Sequence, residues 1–253
     1  MNRNETFPPI LVSSLVVHLA WASLEVCVED VEQIQVLVSG ADSDVKDLRM
    51  VCEENRLLVE QPAYGINLKN LGAERWMQIM LRLPATWKGA VDLSTISAPI
   101  KARGLTGTDL TMDSVSGCIT ATGLSSIATG LHTVSGDVKA SDIQGEKLSL
   151  RSVSGSITVT DAGFDVYHVT TASGQADLDM NRPFQRVDSL SVSGDVRIFT
   201  PMDHADAVLR SVSGRLRTRG VSIVPEAAPL RANSVSGDLE INCSYAATYN
   251  EEE

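Results

Sequence analysis

Large aromatic side chains are scarce in this chain: Phe, Tyr and Trp together make up 4% of its 253 residues. Cores of ordinary thickness draw heavily on such residues. Their scarcity excludes a bulky globular interior and favours a narrow one filled by aliphatic and small side chains. Basic clusters are lacking too. The net charge of −11 is spread along the sequence, near −4 over residues 1–90, −4 over 91–245 and −3 in the terminal Glu251-Glu252-Glu253. Sequence-independent nucleic-acid binding needs concentrated Lys and Arg, so that class is excluded. No apolar run reaches the roughly 18 residues that a transmembrane helix requires, and no transmembrane segment is expected. Cys27, Cys52, Cys118 and Cys243 lie far apart with no C-x-x-C spacing, and His18, His132, His168 and His204 are scattered. Neither set has metal-ligand spacing, and the thiols are expected to be reduced. No cofactor and no metal is expected.

What the chain has in abundance is one short phrase, written eight times: hydroxyl, aliphatic, serine, then glycine or alanine. It first occurs as Thr95-Ile96-Ser97-Ala98, then as Ser114-Val115-Ser116-Gly117, and last as Ser234-Val235-Ser236-Gly237. The small residue recurs after 19, 19, 19, 19, 20, 20 and 23 residues. A period that short cannot hold a pair of helices, so each unit is one turn of a coil whose core forms only when turns stack.

Taking the glycine or alanine as position zero, residues at +2 (Ile100, Ile119, Val138, Ile157, Ala176, Val196, Leu216, Leu239) and at −2 (Ile96, Val115, Val134, Val153, Ala172, Val192, Val212, Val235) are all apolar. The +4 column is apolar apart from Thr218. Apolar residues at every second position predict a strand, and stacking in one chain direction predicts parallel pairing. All three columns are therefore expected inside. A second strand is expected before each phrase, for example around Leu148 and Leu150. The glycine column predicts a bend in which the backbone takes an unusual φ or crowds the turn beneath. With rungs in sequence order, Arg215 is expected between Asp195 and Asp238, Arg197 beside Asp177, and Arg217 beside Glu240.

Residues 15–90 lack the repeat but show strand patterns at Leu15–Trp21, Leu24–Val28, Gln33–Val38, Arg49–Cys52, Leu57–Glu60 and Trp76–Leu83, with a turn at Ser39-Gly40-Ala41-Asp42. Ile10–Ala22 resembles a signal-peptide core, but Glu5, Pro8-Pro9 and the alternation of Leu15, Val17, Leu19 and Trp21 favour a strand. With no convincing signal, a cytoplasmic and a cell-surface location both stay open. The open end of a stack exposes unpaired backbone, so the expected organisation is a β cap or lead-in over 1–90, a β-solenoid over 91–245, and an acidic tail over 246–253 that could blunt the far end.

A non-repeating strand region closing on Trp76 to Pro84, followed by phrases such as Ser135-Gly136-Asp137-Val138, Ser193-Gly194-Asp195-Val196 and Ser236-Gly237-Asp238-Leu239, resembles the bacterial putative-adhesin family of β-strand-repeat proteins, a domain of unknown function. The likeness runs from about Leu15 to Cys243. It implies an all-β fold, a single-stranded right-handed parallel β-helix of about eight coils of 19–23 residues, and no established activity. Ala98-Pro99 departs from the family's Gly-Asp.

Two readings of the hydroxyl columns stand together. In one, the hydroxyls at −3 and −1 bond to backbone at a bend and hold register. In the other, they form an outward ladder through Ser116, Ser135, Ser154, Ser173, Ser193, Ser213 and Ser236 that meets a protein or a cell-envelope glycan. Insertions at Asn181–Arg186, Pro201–Asp206 and Gly220–Pro229 fall at one angular position and offer Arg182, Phe184 and His204 as further contacts, with Arg217 nearby. The expected function is non-enzymatic binding or adhesion. Alternatives are a cytoplasmic scaffold or regulator of an envelope-stress system, with self-association through ends or faces, and a polysaccharide-acting enzyme using Asp177, Asp179, Arg197, Arg217 and Arg219.

Overall fold

The computed structural model describes residues 1–62 and 76–244. The expected cap over the far end, from Tyr245 onward, lies outside them. Within them strand is the dominant secondary structure. Their one α-helix is Asp42–Asp47, which starts at the last residue of the turn expected at Ser39-Gly40-Ala41-Asp42, and Asn2–Phe7 adds a strand beyond those expected. The alternation of Leu15, Val17 and Leu19 does form a strand, Ser14–Leu19.

The repeats lie over one another in two parallel ladders, one formed by the strands before each phrase and one by the strands after it. In the first, Ala90–Thr95, Thr106–Ser114 and the later half of Ile119–Thr133 pair in turn, placing Leu93, Met112 and Leu131 in one column. In the second, Ile100–Arg103, Ile119–Thr133, Val138–Ser152 and Ile157–Gly163 stack Ile100, Ile119, Val138 and Ile157. Ile119–Thr133 and Val138–Ser152 run through both ladders. The +2 and +4 columns are buried until the outermost rung, where Leu216 and Thr218 are exposed. Phe164 and Tyr167 meet edge to face in the interior, 5.9 Å between centroids, and the Tyr167 hydroxyl donates to the Ala162 carbonyl while accepting from the Phe164 N–H. Burial pushes that phenol up to about 12.

The glycine column is explained by crowding. None of the phrase glycines has a positive φ. A Cβ on Gly136 would stand 2.1 Å from the Gly117 carbonyl oxygen, and one on Gly155 1.9 Å from that of Gly136. Each rung rests its backbone directly on the backbone of the rung below, and only glycine leaves room for it. Ala98, the one residue with a Cβ, stands at the column's edge, where the neighbouring rung is the non-repeat segment around Ala20.

At both ends the rungs leave sequence order. Pro229–Ser234 pairs with Arg186–Ser191 on one side and His204–Ser211 on the other, and Leu239–Cys243 likewise lies between Val196–Thr200 and Leu216–Arg219. The last phrase is thus tucked one layer in, and the Ser211–Gly214 phrase forms the outer rung. The other end does the same: Ser14–Leu19 and Ser23–Glu29 lie against the first repeat, with Arg56–Glu60 and Met77–Pro84 outside them. Beyond these, Arg49–Glu53, Ile34–Gly40 and Asn2–Phe7 add antiparallel strands. Arg215 is therefore not flanked by two carboxylates. Asp195 accepts from the Asp238 N–H and Asp238 from the Arg215 N–H.

Candidate functional site

The bend at each phrase sorts its four residues by direction. The hydroxyl at −3 points inward, and all eight of them bond to the backbone of position zero. Thr95, Ser152, Thr171 and Ser191 donate to its carbonyl at 2.5–2.7 Å. Ser114, Thr133, Ser211 and Ser234 accept from its N–H at 2.7–3.0 Å. These bonds satisfy backbone groups that the bend removes from the ladders, so a hydroxyl at −3 is a requirement of the turn.

The next two residues point out. The expectation that the −2 column is interior is corrected: Ile96, Val115, Val134, Val153, Val192, Val212 and Val235 are 43–85% exposed. Strand alternation places −2 on the same face as its inward neighbours at 0 and +2 only if the strand is straight. Here the chain turns between −3 and 0, and two successive side chains face solvent. The serines at −1, including Ser116, Ser135, Ser154, Ser173, Ser193, Ser213 and Ser236, are exposed beside them. Ser173, Ser193 and Ser213 donate to a carbonyl of the adjacent rung at 3.2–3.5 Å. Ser116, Ser135, Ser154 and Ser236 have no side-chain partner among the described residues. The result is a double ladder, one rail aliphatic and one rail hydroxyl, with a rung at every strand spacing.

On the aliphatic side the ladder borders an open groove of about 600 Å³, lined by Ile96, Val115, Val134 and Val153 together with His18, Asp113, His132 and Arg151. His132 bridges Asp113 (2.9 Å) and Ser149 (3.2 Å) through its two ring nitrogens. Sequence reasoning missed this polar row. Its signal was present, since Asp113, His132 and Arg151 occupy the same position, −4, of three successive phrases.

The remaining candidates do not gather at this face. Phe184 is core, 3% exposed, and presents no surface to a ligand; an aromatic in an insertion plugs the interior here. Arg182 reaches the Gly145 carbonyl (2.6 Å) and Asp165 (3.0 Å). His204 is exposed and paired with Asp203 at 2.5 Å, and the histidine beside it holds the Asp203 carboxyl below its usual range. Arg217 pairs with Asp238 at 3.3 Å.

The proposed enzymatic set resolves into an ion-pair ladder in which Arg197 lies between Asp177 (3.6 Å) and Glu240 (3.7 Å). It borders a second groove of about 610 Å³ that includes Asp179 and Arg219. Burial, then the nearby Asp161, raises the Asp179 carboxyl. Among the described residues no group of three or more His, Cys, Asp or Glu side chains is placed to hold a metal, no helix is long and apolar enough to cross a membrane, and the four cysteines are free thiols.

Among solved structures, the fold is similar to that of a putative adhesin from Parabacteroides merdae ATCC 43184, with a TM-score of 0.66 at 10% identity over 95% of each chain. It is also similar to a putative adhesin from Parabacteroides distasonis ATCC 8503, TM-score 0.61 at 9% identity over 95% of this chain and 97% of the other. A putative lipid binding protein from the same organism gives a TM-score of 0.57 at 15% identity over 96% of both chains. At such identities the likeness concerns the fold alone. No curated protein matches the sequence significantly. Residues 88–242, which include all eight phrases and well over half of the chain, match the family model described as Toastrack DUF4097, and the chain belongs to that family.

Proposed function

We propose that this chain is a non-enzymatic binding protein of the adhesion type, and that its binding surface is the double ladder of −2 aliphatics and −1 serines. The rungs are read as about eight coils of one right-handed β-solenoid, with residues 1–90 as lead-in and cap, 91–245 as the repeat body and 246–253 as an acidic tail. The observation that carries the proposal is the exposure of seven large aliphatic side chains in one column, interrupted only by the smaller Ala172 between Val153 and Val192. Contiguous apolar surface of that kind on a folded domain marks an interaction site. A flat row of methyl groups beside a row of hydroxyls matches an extended partner with one apolar and one hydroxyl-rich edge, such as a cell-envelope glycan chain. The apolar rail would cover sugar C–H faces while the serines exchange hydrogen bonds. That structural neighbours bear the names of adhesins and of a lipid binding protein is in keeping with a binding role.

Binding to an array of envelope glycans tests the reading. Wild type is expected to retain extended polymers in preference to short oligomers. Val134→Asp with Val153→Asp, or Ser154, Ser193 and Ser213 changed to Tyr, should abolish retention while leaving the fold intact. Retention unchanged in both variants would refute the assignment. A second reading, polysaccharide cleavage at the groove containing Asp179 and Arg219, is favoured only by the raised Asp179 carboxyl. It requires product release from acidic polysaccharides that is lost in Arg219→Ala.

A further inference from the structure

The two ends of the stack are unlike each other, and the difference has a direction. Residues 209–220, in the outermost rung at one end, contain Arg210, Arg215, Arg217 and Arg219 and no acidic residue. Residues 29–56, in the lead-in at the other end, contain eight acidic residues against three basic ones. A chain that is acidic overall has its densest run of arginine at one terminus of the rod. Among the described residues, Arg210, Arg215 and Arg219 have no ion pair, and neither do Asp30, Glu32, Glu53 and Glu54, all of them exposed.

Backbone at the two ends is also complementary. Leu216–Arg219 pairs only with Leu239–Cys243, and Asn2–Phe7 only with Ile34–Gly40, so each leaves an open strand edge among the described residues. Both edges belong to the same ladder. Asn2–Phe7 is antiparallel to Ile34–Gly40, which is antiparallel to Met77–Pro84, and from there every pairing to Leu216–Arg219 is parallel. The two outermost strands therefore point the same way. Leu216 and Thr218 continue the buried columns of Leu239 and Ile241 yet are uncovered, Leu216 being 36% exposed. At the opposite end Phe7 sits on the core side, in register with Ile34. The loop holding Asp30 and Glu32 leads into Ile34, next to the C-terminal end of Asn2–Phe7. Arg219 ends the strand that would lie alongside it.

From the free edges, their common direction and the opposed charges, we infer that copies of this chain associate head to tail, the Leu216–Arg219 edge of one pairing in parallel with the Asn2–Phe7 edge of the next. Such a contact is heterologous and does not close on itself, so it yields open chains of copies. Leu216 is covered near Phe7 of the next copy, and Arg215 and Arg219 meet its acidic lead-in. The contact uses the ends and leaves the side ladder free, so it stands or falls apart from the binding reading and would lengthen the ladder if both hold. Arginines on an uncovered edge also deter pairing with unrelated strands, which makes an acidic end the selected partner.

Sedimentation of the full chain over a range of concentrations at low salt tests this. The expected result is mass that rises without a plateau at dimer and falls with added salt. Two reversed-charge variants, R215E/R219E and D30R/E32R, each disable one end, and each should need a concentration at least about tenfold higher to associate. Their equimolar mixture sets native end against native end and reversed end against reversed end, with opposite charges at both contacts, and should regain most of the growth that each variant alone loses. If a reversed-charge variant folds poorly, R215Q/R219Q and D30N/E32Q show the loss of association in weaker form. The inference is overturned if wild type stays monomeric, if it forms a closed dimer indifferent to both variants, or if the reversed-charge mixture associates no better than either variant alone.

Discussion

Two hydroxyl columns, two residues apart in every phrase, read alike in the sequence and do opposite things in the protein. At −3 the side chain is turned inward and bonds to the backbone of the small residue in all eight phrases. At −1 it faces solvent, and in four phrases, at Ser116, Ser135, Ser154 and Ser236, it meets no side-chain partner among the described residues. A repeated residue type therefore does not carry a single meaning; its direction at the bend decides whether it maintains the turn or is available to something outside. The same lesson holds for aliphatics, since Val at −2 is surface while Val or Ile at +2 is core.

Substitutions on either side of that divide should separate it. The largest effect is expected where the columns meet. Gly155→Ala places a Cβ where only 1.9 Å separates it from the Gly136 carbonyl oxygen, and should cost about 3 kcal/mol or more in denaturant unfolding. Next, Tyr167 gives a pH signature of the interior. Its folded phenol titrates near 12 against an ordinary 10; the unfolded chain loses that proton first, so stability should fall as pH rises from about 10 towards 12, by about 2–3 kcal/mol in all. Tyr167→Phe should remove this component of the slope, whatever it does to stability at neutral pH. Ser152→Ala leaves the Gly155 carbonyl without its buried partner and should cost about 1–3 kcal/mol, whereas Ser154→Ala, one bend position outward, should stay within about 0.5 kcal/mol. Equal costs for Ser152 and Ser154 would erase the distinction between the columns.

Much of the architecture was legible because stacking imposes a strict period. The 19-residue spacing, the parallel columns at +2 and +4 and the strands around Leu148 and Leu150 follow from repetition and alternation alone. The −2 column was misjudged because alternation assumes a straight strand, and the chain bends there. The order of the end rungs was hidden for a different reason. Eight near-identical phrases fit on one another in any order, so like-with-like stacking cannot say whether Val235 lies beyond Val212 or between it and Val192. The structure puts it between them, with Val235 bonded to Val192 and Ser213 to Val235, and the long final interval, through Gly220–Pro229, spans the return. A cysteine pair at positions 193 and 236 should therefore crosslink readily and a pair at 193 and 213 should not; the reverse would restore sequence order. Of the candidate site, the serines at −1 could be read from sequence either as an outward ladder or as bend hydroxyls, and Ser173, Ser193 and Ser213 are exposed while also donating to a neighbouring carbonyl. The apolar rail and the row formed by Asp113, His132 and Arg151 were not foreseen, since direction at a bend is a tertiary property.

Thiol labelling of Ser152→Cys, Val153→Cys and Ser154→Cys in the folded chain tests most directly whether each phrase turns one side chain in and the next two out. Rapid modification at 153 and 154 with protection at 152, lost on unfolding, is the predicted result. Protection at 153 would return the aliphatic column to the core and remove the proposed binding face.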